Sequence, residues 1–188
     1  MKTIRITMAG MLVLLFCNLQ SSAQAKYLDV NDTVDEYPNV TWLKGASLTK
    51  LDKDKTYLIE LWATWCKPCV AAMPHLSELH GKFKDQIVFI AQDVWEEDLE
   101  KVKAFIAANE KMMSFSIAYA GAQSTSDFDK KLAKPTGTFG IPRTFIIQNN
   151  TLLWMTDPTQ LNDEVLQLIV DRKFTISAAA KLVKKVNN

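Results

Sequence analysis

Tyr57-Leu58-Ile59-Glu60-Leu61-Trp62-Ala63-Thr64-Trp65-Cys66-Lys67-Pro68-Cys69 is the stretch on which the fold turns. Its first seven residues are apolar except for one acid, the pattern of a strand buried on both faces. Two cysteines three apart follow at the switch from strand to helix. That spacing puts both sulfurs in one helical turn, where they can form and break a disulfide. Cys66 is expected to cap the helix, so its sulfur meets unpaired backbone N–H groups and the positive end of the helix dipole. Both favour thiolate over thiol, and Lys67 adds a positive charge beside it. Cys69 falls one turn on and partly covered. Pro68 is tolerated there because first-turn N–H groups lack helical partners. The roles that follow are Cys66 as exposed nucleophile and Cys69 as the thiol that resolves a mixed disulfide on it.

Working outward, residues 26–39 are polar and read as a loosely ordered lead-in, and 40–43 as a short strand. The helix from Cys66 is expected to end near His80, with Gly81 just past it. A second buried strand covers 87–91, an amphipathic helix 98–109 and a short strand 115–118. Ser126 can cap a helix running to Ala133, stopped by Pro135. Strands over 143–148 and 151–155 flank Asn149-Asn150, a two-residue hairpin signal. Helices over 162–171 and 177–186 complete the chain. The order β-α-β-α-β-α-β-β-α predicts an α/β fold. Its mixed sheet is parallel at first, closed by an antiparallel hairpin and flanked by helices.

The 188 residues carry a net charge of +1, which fits one domain and points away from nucleic acid or an anionic membrane surface as partner. Lys2 and Arg5 precede a short apolar run over 8–17 that is too short to span a bilayer. Ala23-Gln24-Ala25 then offers a small-x-small cleavage site. The expectation is a signal peptide over 1–25, a single domain over 26–188 and a periplasmic or secreted protein. A retained anchor and a lipid-modified Cys17 are the rival readings, the latter weakened by bulky Phe16 before it. After cleavage the only cysteines are Cys66 and Cys69, so in an oxidising compartment cysteine here is chemistry and not stapling.

A Cys-x-x-Cys pair also serves as half of a zinc site, and His75 and His80 follow it. The two histidines are five apart on one helix, so they point about 140° apart. One continuous helix cannot wrap all four side chains around one tetrahedral ion. No metal or organic cofactor is expected, and the histidines read as ordinary helix-surface residues.

The run from Glu60 to Cys69, followed by Met73-Pro74, resembles thioredoxin-like proteins, and most closely the exported TlpA/ResA branch. A second, distant match is Phe139-Gly140-Ile141-Pro142-Arg143-Thr144-Phe145, which is similar to that family's segment bearing a cis-proline. The resemblance spans about 40–170. It implies a thioredoxin-like three-layer fold with an extra βα insertion, supplied by the long segment 93–126. It also implies a cis Ile141–Pro142 bond against the cysteines and a buried acid, Glu60, that takes the Cys69 proton. The rival reading of Glu60 is a carboxylate that reaches the surface or pairs with a lysine, since buried acids are rare without a partner. Trp65, Lys67, Pro68, Ile141 and Pro142 are the expected substrate-binding residues. The implied activity is thiol-disulfide exchange with protein substrates in the reducing direction, fitting reduction of apocytochrome c. It is supported by a membrane or soluble thiol electron donor and carried out by a monomer.

Two other functions stay open on the same fold. A thiol peroxidase places a threonine three residues before the reactive cysteine, where this chain has Ala63. A non-catalytic binding module would use the Ile141–Pro142 groove without turnover.

Overall fold

The computed structural model describes residues 27–186. The expected leader over 1–25, with Cys17, lies outside the described residues. β1 (Thr41–Lys44), β2 (Thr56–Trp62), β3 (Ile87–Asp93), β4 (Ser116–Tyr119), β5 (Arg143–Gln148) and β6 (Thr151–Thr156) form one sheet in the order β1-β4-β3-β2-β5-β6. β2, β3 and β4 run parallel, while β1, β5 and β6 pair antiparallel to their neighbours. β2 is central and buried along its whole length, as an apolar run with a single acid inside it leads one to expect. Asn149 and Asn150 both adopt positive φ, the geometry a two-residue hairpin needs to match the strand twist.

Four α-helices follow from the amphipathic stretches: α1 (Lys67–Phe83), α2 (Leu99–Ala108), α3 (Asp163–Val170) and α4 (Ile176–Val186). Asp98 caps α2 through the Lys101 N–H, and Asn162 caps α3 through the Val165 N–H. One face of the sheet packs Leu58, Trp62 and Phe89 against Met73, Leu76, Val165 and Ile169. The other packs Tyr57, Ile59 and Leu61 against Val34, Tyr37, Phe128 and Leu132. The segment between β3 and β5 supplies α2, β4 and a π-helical turn (Asp129–Ala133), so it adds a strand and a helix to the sheet.

Three local expectations are corrected. Gly81 lies inside α1, which runs on to Phe83 with Lys84 as its cap. A helical glycine costs about 1 kcal/mol relative to alanine. Burying Phe83 is worth roughly 1.5–3 kcal/mol, so packing carries the last turn through the glycine. Residues 27–39 are not loose: Val34 and Tyr37 are buried, and the Tyr37 hydroxyl donates to Gln92 Oε1 at 2.8 Å. Ser126 does accept the Asp129 N–H, but the helix it starts widens into the π-helical turn.

Candidate active site

β2 ends at Trp62, and Ala63-Thr64-Trp65 turns the chain into α1. Cys66 is the N-cap residue, and its Sγ accepts the Cys69 N–H at 3.3 Å. The two sulfurs are bonded to each other, with Cα atoms 5.3 Å apart. Cys69 Sγ also lies 3.9 Å from the Leu61 carbonyl oxygen. Pro68 takes a first-turn position and leaves no helical hydrogen bond unmade. The expected exposure of Cys66 is corrected: it is 3% exposed and Cys69 0%. Capping turns the Cys66 sulfur inward over the helix end, and it is the neighbouring Trp65, 52% exposed, that faces solvent. Lys67 and Pro68 are exposed beside it.

The Ile141–Pro142 peptide bond is cis. Pro142 immediately precedes β5, whose Arg143 lies opposite Leu61 of β2. Because β2 and β5 are antiparallel, the segment 139–142 enters at the end of the sheet where 63–66 leaves. Sequence positions some seventy residues apart thus share one edge. Ile141 and Pro142 are half-buried, and Phe139 is strongly exposed.

Glu60 is buried, with 1% exposure, which rules out the surface reading. It shares a face of β2 with Leu58 and Trp62, the face packed against α1. Its Oε2 accepts the Thr144 hydroxyl from the neighbouring strand, and its Oε1 receives no hydrogen bond among the described residues. Burial pushes the Glu60 carboxyl up from 4.5 to about 8. The Thr144 hydrogen bond pulls it down, the Asp157 charge pushes it further up, and Arg143 opposes that.

His75 and His80 are half-buried and not plain surface residues. His75 Nε2 lies 2.9 Å from the Leu161 carbonyl oxygen. His80 Nδ1 lies 2.8 Å from Ser114 Oγ, and its ring packs edge-on against Phe89 and Phe115. They tie α1 to its neighbours.

Sequence reasoning missed a second group of acids at this end of the sheet. Asp93 closes β3 beside Trp62 and is fully buried, and Glu96 is 5% exposed. Glu96 Oε2 accepts the Thr64 N–H at 2.9 Å, and its Oε1 accepts the Thr64 hydroxyl. Lys101 Nζ donates to the same Oε1 at 2.5 Å. Nothing in Gln92-Asp93-Val94-Trp95-Glu96-Glu97-Asp98 sets these two acids apart from their solvated neighbours.

The fold and the redox turn define a thioredoxin-like protein. The thioredoxin domain of a Bacteroides vulgatus thiol-disulfide oxidoreductase superposes with a TM-score of 0.58 at 19% identity, covering 77% of this chain and 97% of that one. A putative thiol:disulfide interchange protein from Chlorobium tepidum gives 0.56 at 20% identity over 81% and 98%. The pattern of the Redoxin family matches residues 33–156, and the chain belongs to that family. The chain is 34% identical over 122 residues to a thiol-disulfide oxidoreductase, ResA, from Bacillus thuringiensis (strain Al Hakam). That alignment covers 61% of this chain and 63% of the relative, so the chain spans less than two thirds of that relative's length.

Proposed function

We propose that this protein is an exported thiol-disulfide oxidoreductase that reduces disulfides in protein substrates. The observation that carries this reading is the Cys66–Cys69 disulfide at the α1 N-terminus, with Cys66 Sγ already in the capping position. In the reduced protein that position favours thiolate at Cys66. The Cys66 thiolate attacks one sulfur of the target disulfide, forming a mixed disulfide and releasing a target thiolate. Cys69 then attacks the Cys66 sulfur and expels the second target thiolate. Two electrons have passed from the dithiol to the target, and the dithiol's two protons end on the target's thiols. Glu60 takes the proton that Cys69 must lose, since a carboxyl raised to about 8 holds and releases protons near neutral pH.

Trp65, Lys67, Pro68, Ile141 and Pro142 form the surface that receives the substrate. An extended segment pairs with the Ile141 backbone at the edge that β2 and β5 share. A thiol electron donor, membrane-bound or soluble, re-reduces Cys66–Cys69 and closes the cycle. The leader-like residues 1–25 support export to the periplasm, and Lys67-Pro68 between the cysteines, similar to the reducing members of the family the chain resembles, supports apocytochrome c as a substrate class. Among the described residues no helix is long and apolar enough to cross a membrane.

The test uses insulin reduction by the parent protein with dithiothreitol as donor, alongside hydrogen peroxide consumption. Insulin reduction lost in Cys66→Ser supports the reading. Peroxide turnover without insulin reduction would replace it with a thiol peroxidase. Neither activity would leave a binding module. A Cys69→Ser variant is expected to stall with substrate attached to Cys66, which identifies the partners.

A further inference from the structure

Trp95 takes a left-handed conformation, φ 60°, and reverses the chain just past β3. That conformation is unusual for a bulky residue. It is held at both ends: the Trp95 N–H donates to the Gly121 carbonyl at 3.1 Å, and the indole N–H donates to Asp129 Oδ1 at 3.0 Å. The reversal carries Glu96 back over the end of β2. There one carboxylate takes both hydrogens that Thr64 offers, from its amide and from its hydroxyl. Thr64 stands two residues before Cys66, and the Cys66 N–H in turn donates to the Ala63 carbonyl. Glu96 therefore clamps the turn that aims the nucleophile.

Asp93 sits against this clamp. It is fully buried, and neither of its oxygens receives a hydrogen bond from a donor among the described residues. An ionised carboxylate in that position would leave a buried charge without a partner. The reversal at Trp95 brings the buried Glu96 carboxylate to this same end of the sheet, and its negative charge opposes ionisation of Asp93. A proton held on Asp93 removes the unpartnered buried charge, while Glu96 stays the anion that Thr64 and Lys101 bind.

We propose that Asp93 and Glu96 form a proton-dependent latch on the redox turn: Glu96 positions Thr64, and the proton on Asp93 sets how much negative charge stands beside the route to Cys66. This inference rests on the disulfide-exchange reading for its consequence, though not for its chemistry. Glu96 and Asp93 are positioning residues and touch no substrate. Burial, then the Glu96 charge, then the hydrogen bond to Glu96 raise the Asp93 carboxyl from 3.8 to about 9, against the pull of Lys101. Burial alone would raise Glu96, but the Lys101 and Thr64 hydrogen bonds bring it below its ordinary value. The pair thus divides into a proton holder and a permanent anion.

The charged and titratable groups around Asp93 come from every packed element. The turn supplies Glu96 and α2 supplies Lys101, while Glu97 and Asp98 bear on the neighbouring Tyr119. β4 supplies Tyr119, paired with Asp93 in register, whose hydroxyl donates to the Glu97 carbonyl. β2 supplies uncharged Trp62 and, one pair back on the same face, Glu60, with Cys66 and Cys69 beyond the strand end. Of these, the cysteines alone change charge with redox state. A Cys66 thiolate adds a negative charge near the pair and makes Asp93 hold its proton more tightly, and by linkage an ionised Asp93 disfavours the thiolate to the same degree.

The experiment follows the carboxyl carbon of Asp93 by ¹³C NMR against pH in the full protein, oxidised and then reduced. Asp93→Asn supplies the assignment and Cys66→Ser the control without a thiolate. One aspartate is expected to titrate far above the rest in the oxidised protein, and higher still in the reduced one. Glu96→Gln, which keeps an acceptor for Thr64 but removes the charge, is expected to lower that midpoint. An Asp93 that titrates in the ordinary carboxyl range, or identically in both redox states and in Cys66→Ser, would overturn the latch.

The positioning half is read from kinetics. Glu96→Ala is expected to slow insulin reduction by about tenfold or more, within the roughly hundredfold that about 1 Å of misplacement can cost. Glu96→Gln is expected to restore most of that loss. Unchanged kinetics in a folded Glu96→Ala protein would leave the Thr64 contact structural only. A parent protein that shows the redox-dependent Asp93 shift yet reduces no disulfide would sink the proposed function and leave the latch standing.

Discussion

Glu60 and Asp93 are two buried acids on neighbouring central strands, facing the same side of the sheet, and they are held in opposite ways. Glu60 sits one register position back from the end of the β2–β5 ladder, opposite Thr144. Its single bonded oxygen takes a neutral hydroxyl, and its carboxyl is raised to about 8 chiefly by burial. Asp93 sits at the very end of β3 against a second acid, and that acid's charge adds to burial to bring it to about 9. One environment makes a proton acceptor that works near neutral pH. The other makes an acid that stays protonated while the cysteines react. The difference is not depth, since both are essentially unexposed. It is the partner: a hydroxyl stabilises the ionised form, whereas a neighbouring carboxylate penalises it.

The sharpest way to break that comparison is Glu60→Gln, which preserves shape and removes the acceptor. Release of the mixed disulfide is expected to slow by about a hundredfold near neutral pH, the low end of general acid–base contributions. Stopped-flow kinetics measure it, and alkylation of Cys66 should not change. Equal release rates would reduce Glu60 to a packing residue.

Stability against pH separates the two acids next, best measured in the oxidised protein, where neither Cys66 nor Cys69 titrates. An acid whose folded value is raised keeps a proton that the unfolded chain has lost. Folding stability therefore falls as pH rises from about 4.5 to about 8 for Glu60, and from about 3.8 to about 9 for Asp93. A tenfold change in proton affinity on folding is worth about 1.4 kcal/mol, so each acid is expected to cost several kcal/mol of stability across its window. Urea midpoints of Glu60→Gln should lose the part of the slope that ends near 8, and those of Asp93→Asn the part that ends near 9. A slope unaltered in both variants would assign it elsewhere.

Thr144→Val tests the partner itself. Removing the hydroxyl takes away what favours the ionised Glu60, so its titration midpoint should rise by about one pH unit, the scale of one hydrogen bond to a charged group. Asp93 should not respond. The smallest effect is expected from Thr64→Val, which loses the hydroxyl contact to Glu96 and keeps the amide one. About 1 kcal/mol of stability in urea unfolding is the expected cost. A loss several times larger would mean that the hydroxyl, and not the amide, is the main hold on the turn.

Glu60 was legible in sequence because it interrupts an apolar run; an acid in a strand buried on both faces stands out by contrast. Asp93 and Glu96 were not, because they belong to a polar stretch where one acid looks like the next. Only the reversal at Trp95 separates Glu96, turned inward onto Thr64, from Glu97 and Asp98. The same contrast holds for the helices. Asp98 and Asn162 mark their own caps, whereas Gly81 signals a stop that Phe83 overrides from the core.

The features readable from the order of residues are local and chemical. The apolar run over 57–63 dictates a central strand, the Cys66–Cys69 spacing dictates a disulfide within one helical turn, and Asn149-Asn150 dictates the hairpin. These follow from periodicity, ring geometry and allowed backbone angles, which act over a few residues. The packed fold sets what stands against what. It brought 139–142 to the edge where 63–66 leaves, and set Thr144 opposite Glu60. It buried Cys66, and it set Asp93 at the end of the sheet where Glu96 holds Thr64. Proton affinities depend on burial and on charges a few ångströms away through space, and residues far apart in the chain supply both.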